Sequence, residues 1–260
     1  MEPIRLNEIP VGIRSIVGEI IEIAFPRQGH TSNVGLIQST HGYYVLKRSK
    51  GEQYSSLLAK EVLILNQLSK TDLSIPNVYH YTEDNHSNWT LMEYIEGVTL
   101  RSYLSNENKQ ETRHEAIYNF GKTLSIIHST KCPIELKNNS TWLDDMLIQA
   151  EYNLKHFNVD GSLELLNKLK VNKPKFFHPT LIHGDFTIDN VLVKDGEITG
   201  VIDWSGGTYG DPRYDVSLAI RPKPNVFEKK SEVSTFLEGY GNRIITDEEY
   251  KYFVDIYEFF

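Results

Sequence analysis

Cysteine is almost missing from this chain: Cys132 is the only one in 260 residues. A single thiol cannot close an internal disulfide or supply a cysteine-based zinc site, and it fits a reducing cytoplasm. Long apolar runs are missing too. None approaches the roughly 20 residues that a membrane span requires. The opening MEPIRLNEIP has neither a basic n-region nor an apolar h-region, so it does not read as a signal peptide. Positive charge is in the minority, with Lys and Arg totalling 27 against 35 Asp and Glu and a net charge of −8. That balance argues against general nucleic-acid binding and is compatible with a cationic ligand. There is no low-complexity tract and no internal repeat. What remains, 40% hydrophobic and 24% charged, is ordinary for a soluble globular chain long enough for two cores.

The stretch over residues 181–204, LIHGDFTIDNVLVKDGEITGVIDW, organises the rest. Leu181-Ile182-His183 reads as a short apolar strand that runs into Gly184-Asp185. Asn190 follows five residues after Asp185, then the apolar alternation Val191-Leu192-Val193. Lys194-Asp195-Gly196-Glu197 predicts a tight hairpin turn, because Asp-Gly tolerates the positive φ of a type I′ turn. Ile198, Val201 and Ile202 form the return strand, which ends on Asp203. The hairpin is expected to fold Asp203 back towards Asn190 and Asp185. Such a set suits phosphoryl transfer, which needs a carboxylate for a hydroxyl proton and hard oxygen ligands for Mg²⁺.

Upstream, residues 17–45 predict three strands. The first separator, Gln28-Gly29-His30-Thr31-Ser32-Asn33, could cover phosphates with backbone N–H groups, Gly29 at its centre, or be an ordinary hairpin loop. Lys47 is expected to end the third strand. Residues 57–68 have helical spacing, with Leu58, Val62 and Leu65 on one face and Glu61 on that same face. A carboxylate aimed at a core needs a partner, and Lys47, 14 residues earlier, is the natural one.

His183-Gly184-Asp185, Asn190 and Ile202-Asp203-Trp204 stand where protein kinases carry His-Arg-Asp, the metal-binding Asn and Asp-Phe-Gly. With Met92-Glu93-Tyr94-Ile95-Glu96-Gly97 and Gly210-Asp211-Pro212 followed by Asp215, the chain resembles the aminoglycoside phosphotransferase and choline kinase family over residues 29–215. The resemblance implies an α+β, bilobal, protein-kinase-like fold. An N-terminal antiparallel sheet with one helix, residues 1–94, would be the nucleotide-binding lobe. A mainly helical lobe, residues 95–260, would carry catalysis and acceptor binding. It further implies ATP and Mg²⁺, with Lys47 on the α- and β-phosphates and Glu61 holding Lys47. Met92 would line the adenine site, and the Glu93 carbonyl and Ile95 amide would face the base. Asn190 and Asp203 would bind the metal, and Asp185 would take the acceptor's proton. Asp215 would hold the catalytic loop through backbone N–H groups, and His128 would be a core histidine.

The acceptor is expected to be a small molecule, an aminoglycoside first, given the negative charge and the acidic tail Asp247, Glu248, Glu249, Asp255 and Glu258. Those carboxylates read equally as the solvated face of a docking helix. Choline, which would use an aromatic cage such as Tyr240, Tyr250 and Tyr257 could offer, a sugar, an amino alcohol and a macrolide remain alternatives. So does a nucleotide-binding module without turnover.

Overall fold

The computed structural model describes residues 3–26, 31–84, 87–107, 109–137, 141–221, 227, 229–241 and 245–260. Gln28, Gly29 and His30, the centre of the expected phosphate-covering loop, lie outside the described residues. The chain divides into two compact units, residues 1–96 with 200–205, and residues 97–199 with 206–260.

The first unit opens with helix α1 (Val11–Val17), followed by β1 (Ile20–Ala24), β2 (Asn33–Ser39), β3 (Gly42–Lys50), helix α2 (Glu52–Leu68), β4 (Val78–Glu83) and β5 (Ser87–Glu93). The five strands form an antiparallel sheet in the order β1-β2-β3-β5-β4. Ile13 and Val17 of α1 pack with Ile37, Leu46, Trp89 and Leu91 of the sheet. Val17 is thus helical, not the start of a strand. The third strand also runs on past Lys47 to Lys50. Its extension is fixed by Arg48, buried beneath Trp89 at 5.4 Å and bonded to Glu8 at 3.0 Å and Asn33 at 3.2 Å. Buried Leu58, Val62, Leu65 and Leu68 give α2 the apolar stripe that its spacing predicts.

The second unit contains β6 (Val98–Thr99), α3 (Leu100–Asn106), α4 (Gln110–Ser129), α5 (Trp142–His156), α6 (Leu163–Val171), β7 (Thr180–Ile182) and β8 (Val191–Lys194). Strand β9 (Glu197–Val201) returns beside β8 and carries the chain into the first unit. Then come β10 (Thr208–Gly210), α7 (Pro212–Ile220), α8 (Lys230–Tyr240) and α9 (Asp247–Tyr257). Asp195 at φ 52° and Gly196 at φ 86° form the tight β8–β9 turn that Asp-Gly predicts. Thr99 caps α3, and Asp211 caps α7 with Pro212 at its first position. The core joins Leu147 and Ala150 of α5, Leu166 and Leu169 of α6, Tyr214 and Leu218 of α7, and Phe253 and Ile256 of α9. Among the described residues, no helix is long and apolar enough to cross a membrane.

Candidate active site

In the first unit, strand β3 places Lys47 opposite Thr90 of β5, facing helix α2. Its ammonium donates to both oxygens of Glu61, at 2.7 and 2.9 Å, and to Asp203 Oδ1 at 3.2 Å. Glu61 is 3% exposed and also accepts a hydrogen bond from the Trp204 backbone. Burial by itself would lower the Lys47 pKa. Asp203 and Glu61 outweigh it and hold that pKa above the ordinary lysine value, so the ammonium stays charged. Burial pushes the Glu61 carboxyl upward, and the charge of Lys47 opposes that rise. Asp203 sits at φ 67°, a region that non-glycine residues seldom occupy. The segment is held there by Val201, whose N–H donates to Ser74 O at 2.9 Å, and by the fully buried Trp204 ring. A backbone kept in that region against its own preference points to function.

In the second unit, the loop after β7 is held by a buried carboxylate. Asp215 of α7 is 0% exposed and accepts from His183 N at 2.6 Å and Gly184 N at 2.8 Å. The same carboxylate meets His128 Nε2 at 3.2 Å, while His128 Nδ1 meets the Tyr240 hydroxyl at 2.8 Å. Gly184 takes φ 81°, and a Cβ there would lie 2.3 Å from Gly206 O. Only glycine fits both demands. Two further ties fix the loop: Phe186 stacks on Phe120 with ring centroids 4.7 Å apart, and Arg101 forks onto Asp189 at 2.5 and 2.7 Å. This frame presents Asp185. The Asn190 amide donates to the Asp185 carbonyl at 2.8 Å and to Oδ2 at 2.9 Å, and the Tyr257 hydroxyl donates to Oδ1 at 3.2 Å.

Three of the five acidic residues singled out near the end of the chain are engaged in ion pairs. Glu249 pairs with Arg213, Asp255 with Lys251, and Glu258 with Arg221. In α5, Asp144 pairs with Lys173, and Glu151 with Lys155 and Lys170. Tyr240, one of the aromatics offered for a choline cage, is buried against His128. Met92 is buried in β5 opposite Val45. The Glu93 carboxylate accepts from the backbone and side chain of Asn77, and Ile95 packs against Gly200.

The structure thus joins Lys47, Glu61 and Asp203 in one group, and Asp185 and Asn190 in another. Three contacts went unread in the sequence: Tyr257 on Asp185, Arg101 on Asp189, and His128 on Asp215. Each spans more than seventy residues. Only His128, at the end of an apolar helical stripe, gave a local signal.

Comparison with known proteins places the chain in a family. The profile described as "Phosphotransferase enzyme family" matches residues 22–252. Mouse acyl-CoA dehydrogenase family member 10 is 28% identical over 73% of this chain, which spans only 20% of that longer protein. An aminoglycoside 3'-phosphotransferase of Enterococcus faecalis is 26% identical, with 82% of each chain covered. Homoserine kinase of Neisseria meningitidis serogroup B is 24% identical over 91% of this chain and 79% of its own length. The crystal structure of a type VIII aminoglycoside-3'-phosphotransferase superposes with a TM-score of 0.79 at 20% identity, covering 96% of this chain and 97% of that one. The fold is therefore the protein-kinase-like α+β fold of that phosphotransferase. With 231 of its residues matched (22–252 inclusive), the chain belongs to the phosphotransferase enzyme family.

Proposed function

We propose that this protein moves the γ-phosphoryl group of ATP to a hydroxyl of a small molecule, an aminoglycoside-type acceptor first. The observation that carries the reaction type is Asp185. Its carboxylate is presented on a rigid loop, oriented by Asn190 and already accepting a hydrogen bond from one hydroxyl, that of Tyr257. In the reaction, the acceptor oxygen bonds to phosphorus as the bond to the β-phosphate oxygen breaks. Asp185 orients the acceptor hydroxyl and takes its proton as ADP leaves. Lys47, kept cationic and aimed by Glu61, neutralises phosphate charge. The Glu93 carbonyl and Ile95 amide bind adenine, Met92 lines that site and Gly29 covers the phosphates. The 1–94 segment is the nucleotide-binding lobe and the 95–260 segment the catalytic and acceptor-binding lobe.

Asn190 and Asp203 suit Mg²⁺, a hard cation that takes oxygen ligands and keeps several waters. Asn190 spends its amide N–H groups on Asp185, which leaves its side-chain oxygen as the ligand atom, and Asp203 keeps 47% of its side chain exposed. When bound there, the metal would neutralise charge on the phosphates.

The Enterococcus relative's name supports the aminoglycoside acceptor. A smaller, less charged acceptor is the second reading. The ion pairs that occupy Asp144, Glu151, Glu249, Asp255 and Glu258 favour it, because a polycation needs carboxylates that the chain does not already neutralise. The length over which homoserine kinase matches points the same way. The test is ADP release from Mg·ATP against aminoglycosides, choline, sugars, small amino alcohols and macrolides. Stimulation by one class names the acceptor. ATP binding without stimulation by any of them would favour the binding module. Lys47→Ala is expected to lower kcat/KM for ATP about tenfold or more, a loss of about 1.4 kcal/mol. Unchanged kinetics would remove Lys47 from the nucleotide site.

A further inference from the structure

The hydroxyl that Asp185 already holds belongs to the protein itself. Both carboxylate oxygens are engaged, Oδ2 by Asn190 at 2.9 Å and Oδ1 by the Tyr257 phenol at 3.2 Å. The phenol is the donor of that pair. Burial first, then the charge of Asp185, keep its pKa above the ordinary tyrosine value. Its position is over-determined. Phe253, Ile256 and Phe259 anchor α9 and the residues after it in the core. Glu258 binds Arg221, the Glu258 carbonyl accepts from Gly161 N at 2.9 Å, and the Phe259 carbonyl accepts from Asn153 Nδ2 at 2.9 Å. The Arg221 guanidinium lies 4.9 Å over the Tyr257 ring. Nothing here suggests a side chain resting by chance on a surface carboxylate.

Resting on the assignment of Asp185 as the base, we infer that Tyr257 guards Asp185 against water. Its hydroxyl fills the hydrogen-bonding position on Oδ1 that a nucleophilic hydroxyl would take, and so suppresses ATP hydrolysis until an acceptor arrives. A carboxylate able to orient an alcohol and take its proton can do the same for water. The water oxygen would bond to the γ-phosphorus, the bond to the β-phosphate oxygen would break, and the proton would pass to Asp185, giving ADP and phosphate. A water must compete for Oδ1 with a preplaced phenol, and brings no further atoms whose binding could offset the loss of that bond. An acceptor carries binding energy from its remaining atoms and can share or displace the phenol. Tyr257 is therefore a positioning residue that favours alcohol over water, with no role as a nucleophile.

The test needs no acceptor. ADP release from Mg·ATP is measured for the full chain, Tyr257→Phe, Asp185→Ala and the double variant, alongside ATP affinity and thermal unfolding. Phenylalanine keeps the ring beneath Arg221 and removes only the hydroxyl. Acceptor-independent hydrolysis is expected to rise about tenfold in Tyr257→Phe, the worth of one hydrogen bond to a charged group. ATP affinity and unfolding temperature should hold, and the rise should vanish in the double variant. An unchanged or lower hydrolysis rate in a folded, ATP-binding Tyr257→Phe would overturn the guard role and leave Asp185 untouched. A rise that survives in the double variant would show that water does not act through Asp185, and would also overturn it. Full acceptor-dependent turnover in Asp185→Ala, read separately, would instead overturn the assignment of Asp185. Phosphate incorporated on the wild-type chain and absent from Tyr257→Phe would make the phenol a nucleophile, contrary to the inference.

Discussion

Replacing Asp185 with alanine is expected to abolish phosphoryl transfer while leaving ATP binding in place. A positioned general base contributes about 10²- to 10⁴-fold, and here the same carboxylate also orients the acceptor. The loss of kcat should therefore be about 10³-fold or more, with the ATP dissociation constant held within about twofold. The loop should survive the change. Its backbone is held by Asp215, by the Phe186–Phe120 stack and by Arg101 on Asp189, none of which uses the Asp185 side chain. Asp185→Asn separates chemistry from scaffolding. It keeps the volume and a hydrogen-bonding oxygen but cannot take the proton, and its turnover should fall nearly as far. ADP release under saturating ATP, with the best acceptor of the panel, reads both variants. Full activity in either would refute the assignment.

How much of this was legible in the sequence depends on the distance over which each contact acts. The β8–β9 hairpin was legible because Asp195-Gly196 satisfies a local rule about positive φ, which the structure meets at 52° and 86°. Glu61 was legible because helical periodicity puts it on the apolar face of α2, and a buried carboxylate demands a cation. Helix α1 was not. Val11, Ile13, Ile16 and Val17 are β-branched and favour strand locally, and only packing of Ile13 and Val17 against the sheet turns the segment into a helix. The end of β3 was hidden for a related reason. Arg48 and Ser49 look like a polar loop, yet both are 1% exposed, and the burial of Arg48 relies on Glu8, Asn33 and Trp89 elsewhere in the chain. Tyr257 was offered as one of several aromatics. Its contact with Asp185, 72 residues away, exists only because α9 docks through Phe253 and Ile256. The acidic tail invited a cationic substrate, but Glu249, Asp255 and Glu258 meet partners 4 to 37 residues away that charge counting could not assign.

Asp215→Ala should cost stability and activity together. The carboxylate is fully buried and receives the His183 and Gly184 N–H groups and His128 Nε2. Removing it strands three donors in a site without solvent. Each orphaned donor costs about 1–3 kcal/mol, and because the three share one network the sum is expected near 4 kcal/mol. For a chain of this size that lowers Tm by about 8–16 °C. Asp215→Asn retains one carbonyl oxygen and the packing volume, and should lose about half as much. With His183 and Gly184 released, Gly184 no longer has a reason to hold φ 81° against Gly206, and the loop carrying Asp185 relaxes. Thermal unfolding and ADP release measured side by side separate the two carboxylates. Asp185 variants should lose turnover with a smaller fall in Tm, because Asn190 keeps its bond to the Asp185 carbonyl, whereas Asp215 variants should lose both in proportion. An Asp215→Ala protein that unfolds within about 2 °C of the wild type, less than the shift from 1 kcal/mol, would mean that the loop is held by Phe186 and Arg101 alone.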